Sequence, residues 1–113
     1  MAKGFRGGFS SSRSSGAPNM QKMMQQAQAM QREMEKEQAA LSEEVFEGTS
    51  GGGAVKVTMT GDKKIKALEI KPEVVDPEDI EMLQDLIISA VNETSDAIDA
   101  KTEEVMSKYT VGL

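Results

Sequence analysis

In AVKVTMT at 54–60 the six residues from Val55 to Thr60 alternate between apolar and polar side chains without a fault, and GDKK at 61–64 separates them from IKALEI at 65–70. Successive side chains of a strand point to opposite faces, so Val55, Val57 and Met59 share one face and Lys56, Thr58 and Thr60 the other. A Gly-Asp turn between two such runs makes a hairpin. The product is an antiparallel sheet with one wet face and one apolar face that helices must cover. In IKALEI the phase slips, because Ile65 and Ala67 are out of step with Leu68 and Ile70. A β-bulge reconciles the two halves.

A third strand is expected at EVFEGT, 44–49, just ahead of Gly51, Gly52 and Gly53. Glycine-rich turns can cradle phosphates, but only between a strand and a helix N-terminus. Here a strand follows, and GGGAVKV fits neither GxxxxGK[ST] nor GxGxxG. These glycines are read as a strand connection that needs positive φ, not as a nucleotide site.

Helices flank the strands. Asn19 is placed as the N-cap of a helix from Met20 to about Ser42. Along it Met20, Met23, Ala27, Met30, Met34 and Leu41 keep a 3–4 spacing, broken only by Glu37, with Met24 beside the stripe. After the hairpin, VVDPEDIEML sets Asp76 as N-cap and Pro77 as the first helical residue, with Glu78 and Asp79 at the positive end of the dipole. That helix is expected to reach Lys108 and to bury Ile80, Leu83, Ile87, Val91, Ile98 and Val105, with Thr94 in mid-stripe. A bend, if present, belongs at NETSD, 92–96, and Gly112 follows as a terminator.

Only 4% of the 113 residues are aromatic and 38% are hydrophobic, a thin core for a monomer. Self-association is the expected remedy. Cysteine and histidine are both absent, which removes thiolate nucleophiles, His-dependent triads and the commonest metal ligands. The acids Asp76, Glu78, Asp79 and Glu81 suit a helix cap and form no metal or acid–base constellation. The chain is therefore not expected to be an enzyme, to hold a cofactor or metal, or to act on a small-molecule substrate. No apolar run approaches the roughly 18–20 residues that span a bilayer, so a membrane is not an expected partner.

Charge is strongly segregated. Residues 1–32 carry Lys3, Arg6, Arg13, Lys22 and Arg32 and no acid, a formal +5. Residues 33–113 hold all 19 acids against eight bases, a formal −11. Residues 1–19 are Gly/Ser-rich and too polar to fold alone, and are read as a flexible basic arm ahead of a single domain at 20–113. Such an arm suits an anionic partner. Lys63 and Lys64, with Lys66, form a small basic knob at the hairpin, which either solubilises an edge or meets phosphate.

The string EVFEGTSGGGAVKVTMTGDKKIKALEIKPEVVDPEDIEMLQDLIISAVNE, with the Met/Gln-rich helix before it, resembles the YbaB/EbfC family of bacterial nucleoid-associated proteins from about Met20 onward. The resemblance implies an α+β fold of order α-β-β-β-α, with a three-stranded antiparallel sheet and two long helices. It implies a homodimer that joins its sheets and projects its helices like tweezers. It further implies a cytoplasmic protein at the nucleoid that binds DNA, shapes the nucleoid and influences transcription. In this family DNA contact is attributed to the projecting helices. Here the first helix offers Lys22, Arg32 and Lys36, while the second is acidic, with Asp85, Glu93, Asp96, Asp99, Glu103 and Glu104 against Lys101 and Lys108. The candidate DNA-contact residues are thus Lys3, Arg6, Arg13, Lys22, Arg32, Lys36, Lys63 and Lys64. Dispersed bases without a recognition helix neutralise phosphates but read few bases, so weak sequence selectivity is expected. The other reading is a protein-interaction module whose Met-rich helices grip a partner helix or a nascent chain.

Overall fold

The structure, a computed structural model, describes residues 2–110 and the side chains of 19–110. The elements run α1 (Ala2–Glu43), β1 (Val45–Ser50), β2 (Val55–Thr60), β3 (Ile65–Ile70) and α2 (Ile80–Thr110), with short 3-10 turns at Gly51–Gly53 and Pro72–Val74. This is the expected α-β-β-β-α order. The chain forms two compact units, residues 1–35 and 36–113.

The sheet and its core belong to the second unit. The strands are antiparallel in the order β1-β2-β3, so β2 is central. Val55 and Val57 are fully buried and Met59 is 4% exposed, as their alternation requires. Phe46, Gly48 and Ser50 pair with Met59, Val57 and Val55 and share their face. The expected bulge is present. Thr58 pairs with Ala67 and Met59 with Ile65, leaving Lys66 as the extra residue and returning Ile65 to the face of Leu68 and Ile70.

Helix α2 lies against β1 and β2 with Ala90, Thr94 and Ile98 buried. Its approach to β1 is close because Gly48 has no side chain. A Cβ there would run into the Thr94 hydroxyl and the Ala90 carbonyl. Thr94 tolerates this burial because its hydroxyl donates to the Ala90 carbonyl at 2.7 Å. All three loop glycines have positive φ, +59°, +66° and +92° for Gly51, Gly52 and Gly53, as their reading as a strand connection demands.

Three expectations need correction. The first helix extends back to Ala2, so Asn19 lies inside it; an N-cap preference is a local signal worth about 1 kcal/mol, small enough for neighbours to override. The second helix begins at Ile80 rather than Pro77, and its cap is Asp79, whose carboxylate accepts from the Met82 N–H at 3.2 Å. Asp76 instead closes a turn ahead of the helix, accepting from the Glu78 N–H at 2.9 Å. Two Asx residues three apart both offer caps, and Pro77 serves the turn. Ile80, expected in the core, is exposed, and α2 runs through NETSD as one helix, its Thr94 bonded within it. The Gly112 expectation falls outside the described residues.

The last turn of α1 is fastened to the hairpin. Gly61 donates its N–H to the Glu44 carbonyl at 2.9 Å and Asp62 to the Ser42 carbonyl at 3.3 Å. Gly61 is required here because a Cβ would meet the Leu41 carbonyl.

Candidate nucleic-acid interface

The predicted contact residues fall in three places. Lys3, Arg6 and Arg13 lie on the α1 segment whose side chains are outside the described residues. Lys22 and Arg32 are exposed on α1 within residues 1–35, and Lys36, also exposed, opens the second unit. Lys63 and Lys64 sit in the β2–β3 turn, which Lys63 completes with a φ of +65°. Lys66, the bulged residue, stands beside them on β3.

The hairpin lysines are not equivalent. Lys63 reaches Asp99 of α2 at 2.7 Å, so much of its charge is engaged within the chain. Lys64 is 3.9 Å from Asp62 and its side chain is 82% exposed, which leaves it open to an outside anion. Asp62 accepts a hydrogen bond from the Thr60 hydroxyl, and this, with the nearby Lys64 charge, holds its carboxyl below the usual 3.8.

Part of the acidity of α2 is likewise spent internally. Glu93 accepts the Thr49 N–H at 3.2 Å and so covers part of the free edge of β1. Asp99 holds Lys63. On the wet face Lys56 lies between Glu47 at 3.4 Å and Glu69 at 3.7 Å, spanning all three strands.

Glu37, the one break in the methionine stripe, has its own partners. Its carboxylate accepts from Lys108 Nζ at 2.5 Å, beside a cleft of about 210 Å³ lined by Ala40, Leu41, Lys101 and Val105. Hydrogen bonds from Lys108 and then Tyr109, with the Lys108 charge added, hold Glu37 below the ordinary 4.5. Gln38 also donates to the Met106 sulfur at 3.4 Å. Sequence reading missed this clasp because the partners are some seventy residues apart, with no periodicity linking them.

Nothing in this arrangement is built for bond chemistry. Among the described residues no three His, Cys, Asp or Glu side chains form a metal-holding group, and no helix is long and apolar enough to cross a membrane. Exposed cations on helix and hairpin can meet phosphate oxygens.

Comparison with known proteins points the same way. Residues 16–113 match the model of the YbaB/EbfC DNA-binding family. A nucleoid-associated protein of Alkaliphilus metalliredigens is 54% identical over 98 residues, covering 87% of this chain and 86% of that one. One from Acetivibrio thermocellus is 50% identical over 113 residues, covering all of this chain and 94% of that one. A crystal structure of an uncharacterised Helicobacter pylori protein superposes with a TM-score of 0.64 at 23% identity, over 74% of this chain and 88% of that one, and shares the fold.

Proposed function

The chain belongs to the YbaB/EbfC DNA-binding family, a nucleoid-associated and not an enzyme family, and from that premise we propose that it binds DNA as a homodimer with weak sequence selectivity. Bound along the cytoplasmic nucleoid, it shapes the DNA and influences transcription. The observation that carries this reading is the charge segregation: five bases and no acid in residues 1–32, on a chain of net charge −6. An acidic body repels DNA while a basic segment attracts it, so contact is concentrated on that segment. The engagement of Lys63 by Asp99 supports assigning the larger share to residues 1–36 and leaves Lys64 as the hairpin's contribution.

The dimer reading rests on the bare strand. Ile65 and Leu68 of β3 are 55% and 45% exposed, although both point to the face that α2 covers on β1 and β2. Ile80 and Ile88 of α2 are exposed as well. A second copy that adds its β3 edge to edge extends the sheet and brings a second helix over these side chains.

A titration on matched random and AT-rich duplexes at two salt concentrations tests the function. The slope of log K against log[salt] is expected near −0.9 per phosphate contact, with little difference between the duplexes. Deleting residues 1–19 removes up to about six contacts from a dimer with both arms engaged, and flattens the slope accordingly. If the deletion changes nothing while a Lys22/Arg32/Lys36 triple alanine variant loses both affinity and slope, the contacts belong to the later part of α1 and not to residues 1–19. Salt-independent retention, or none, overturns the DNA reading.

A further inference from the structure

Between Met20 and Arg32 helix α1 holds five glutamines, Lys22 and Arg32 and no acid, in a chain whose remaining residues include 19 acids. At 3.6 residues per turn these side chains do not scatter. Gln21, Lys22, Gln25, Gln28, Ala29 and Arg32 fall within an arc of about 120°, and all of them are exposed. Met20, Met23, Ala27 and Met30 share the opposite side, and Glu33 and Glu35 border the arc without entering it. We propose that this amide face lies in the major groove of duplex DNA, its glutamines bonding base edges without regard to sequence and Lys22 and Arg32 taking phosphates. The inference rests on the DNA reading of this chain and adds to it a helix face and a contact that is not ionic.

The dimensions fit. An α-helix with its side chains is about 10–12 Å across, and the major groove of B-DNA is about 12 Å wide. Lys22 and Arg32 stand about 15 Å apart along the helix axis, which lets each reach a different wall of the groove. Ala29, the one short side chain of the face, lets the backbone come close to the base edges. The absence of carboxylates is local: the same helix returns to acids past Arg32, with four between Glu33 and Glu43. A merely solvated face has no reason to exclude them over this stretch alone, whereas a face set against phosphates does.

The choice of side chain accounts for weak selectivity. A glutamine amide both donates and accepts, while arginine only donates and a carboxylate only accepts. In the major groove guanine, adenine and thymine offer acceptors and adenine and cytosine offer donors. An amide therefore finds a partner at every base pair, where arginine would favour guanine and a carboxylate cytosine. Being neutral, it releases no counterions, so its share of the affinity does not depend on salt.

The test is a full-length Gln21→Ala/Gln25→Ala/Gln28→Ala variant, which keeps the helix because alanine is the better helix former. Its dissociation constant for duplex DNA is expected to rise about tenfold or more, equally on random, AT-rich and GC-rich duplexes, with the salt slope unchanged. Lys22→Ala/Arg32→Ala is expected to flatten the slope instead, by about 1.8 for each helix engaged. Duplexes whose cytosines carry bulky glucosyl groups in the major groove should bind the natural chain as weakly as plain DNA binds the amide variant. If the natural chain binds DNA with a steep salt slope and the amide variant does so equally well, the amide face is overturned and the DNA reading stands. If the natural chain shows no salt-dependent binding, both fail. A loss confined to one base composition overturns the sequence-tolerant contact, and indifference to the glucosyl groups overturns the groove. A Met20→Gln/Met23→Gln/Met30→Gln variant that loses affinity while the amide variant keeps it assigns the contact to the opposite face and also overturns the proposal.

Discussion

The two outer strands of the sheet flank the same buried residues of β2, with Phe46, Gly48 and Ser50 on one side and Ile65, Leu68 and Ile70 on the other, and meet different fates. Strand β1 is finished by its own chain: α2 crosses it at Gly48, Glu93 takes its Thr49 N–H, and Ser50 donates to the Leu86 carbonyl at 2.5 Å. Strand β3 has no such cover among the described residues, and its Ile65 and Leu68 are open. One helix covers two strands, and the third keeps its apolar side chains open in the single chain. Alternation tells which side chains need cover; it does not tell which molecule supplies it.

The sharpest break of this contrast is on the covered side. Val57→Asp puts an unpaired charge at a fully buried position, at a cost of about 3–5 kcal/mol, a large share of a small domain's stability. Loss of the cooperative thermal transition by circular dichroism is the expected result. Gly48→Val drives a branched side chain into Thr94 and Ala90 and should cost about 3 kcal/mol, read as a shifted urea midpoint. Gly52→Val is its counterpart, strained by a φ of +66° but meeting no atom within 4 Å, and should cost only about 1–2 kcal/mol.

On the bare side the same chemistry should act on association and not on folding. Leu68→Glu is expected to weaken the dimer by about 2 kcal/mol, roughly thirtyfold in dissociation constant, with the helix content of the chain unchanged. Sedimentation at several concentrations measures it. If Leu68→Glu unfolds the chain instead, β3 belongs to the monomer's core and the contrast between the edges collapses.

The smallest effect concerns the Glu37 clasp. Its carboxyl titrates below the ordinary 4.5, so its stabilisation is complete above that value and is lost as pH falls through the lower folded-state value. Glu37→Gln should therefore melt slightly below the natural chain at about pH 7, and the gap should close as pH falls below the ordinary carboxylate range. An unchanged gap across that range means the clasp acts through packing alone.

Much of the fold was legible in local pattern. The alternation at 55–59, the hairpin turn, the slipped phase that became a bulge at Lys66 and the positive-φ glycines each follow from a few adjacent residues. The start of α2 was misread because Asp76 and Asp79 make equally good caps, and only the chain's path after Pro77 decides between them. Ile80 was misplaced because a period of 3.6 identifies an apolar face without saying how far its cover extends. Of the candidate contacts, the family and the basic character of residues 1–32 were legible. The engagement of Lys63 by Asp99 was not, since ion pairs between distant elements leave no spacing to read.

The fastening of α1 to the hairpin has a mechanical consequence. Strain applied at the last turn of α1, as when a bound polymer is pulled or bent, passes along the backbone into β1 and also into the hairpin through the Glu44 and Ser42 carbonyls, which Gly61 and Asp62 hold. Those amides belong to the turn that ends the central strand, so the load passes next to β2 and is shared across the ladders on both its sides. The end of α1 is in this sense moored to the turn of the central hairpin, and tension on that end should be shared among several backbone hydrogen bonds before any single one gives way.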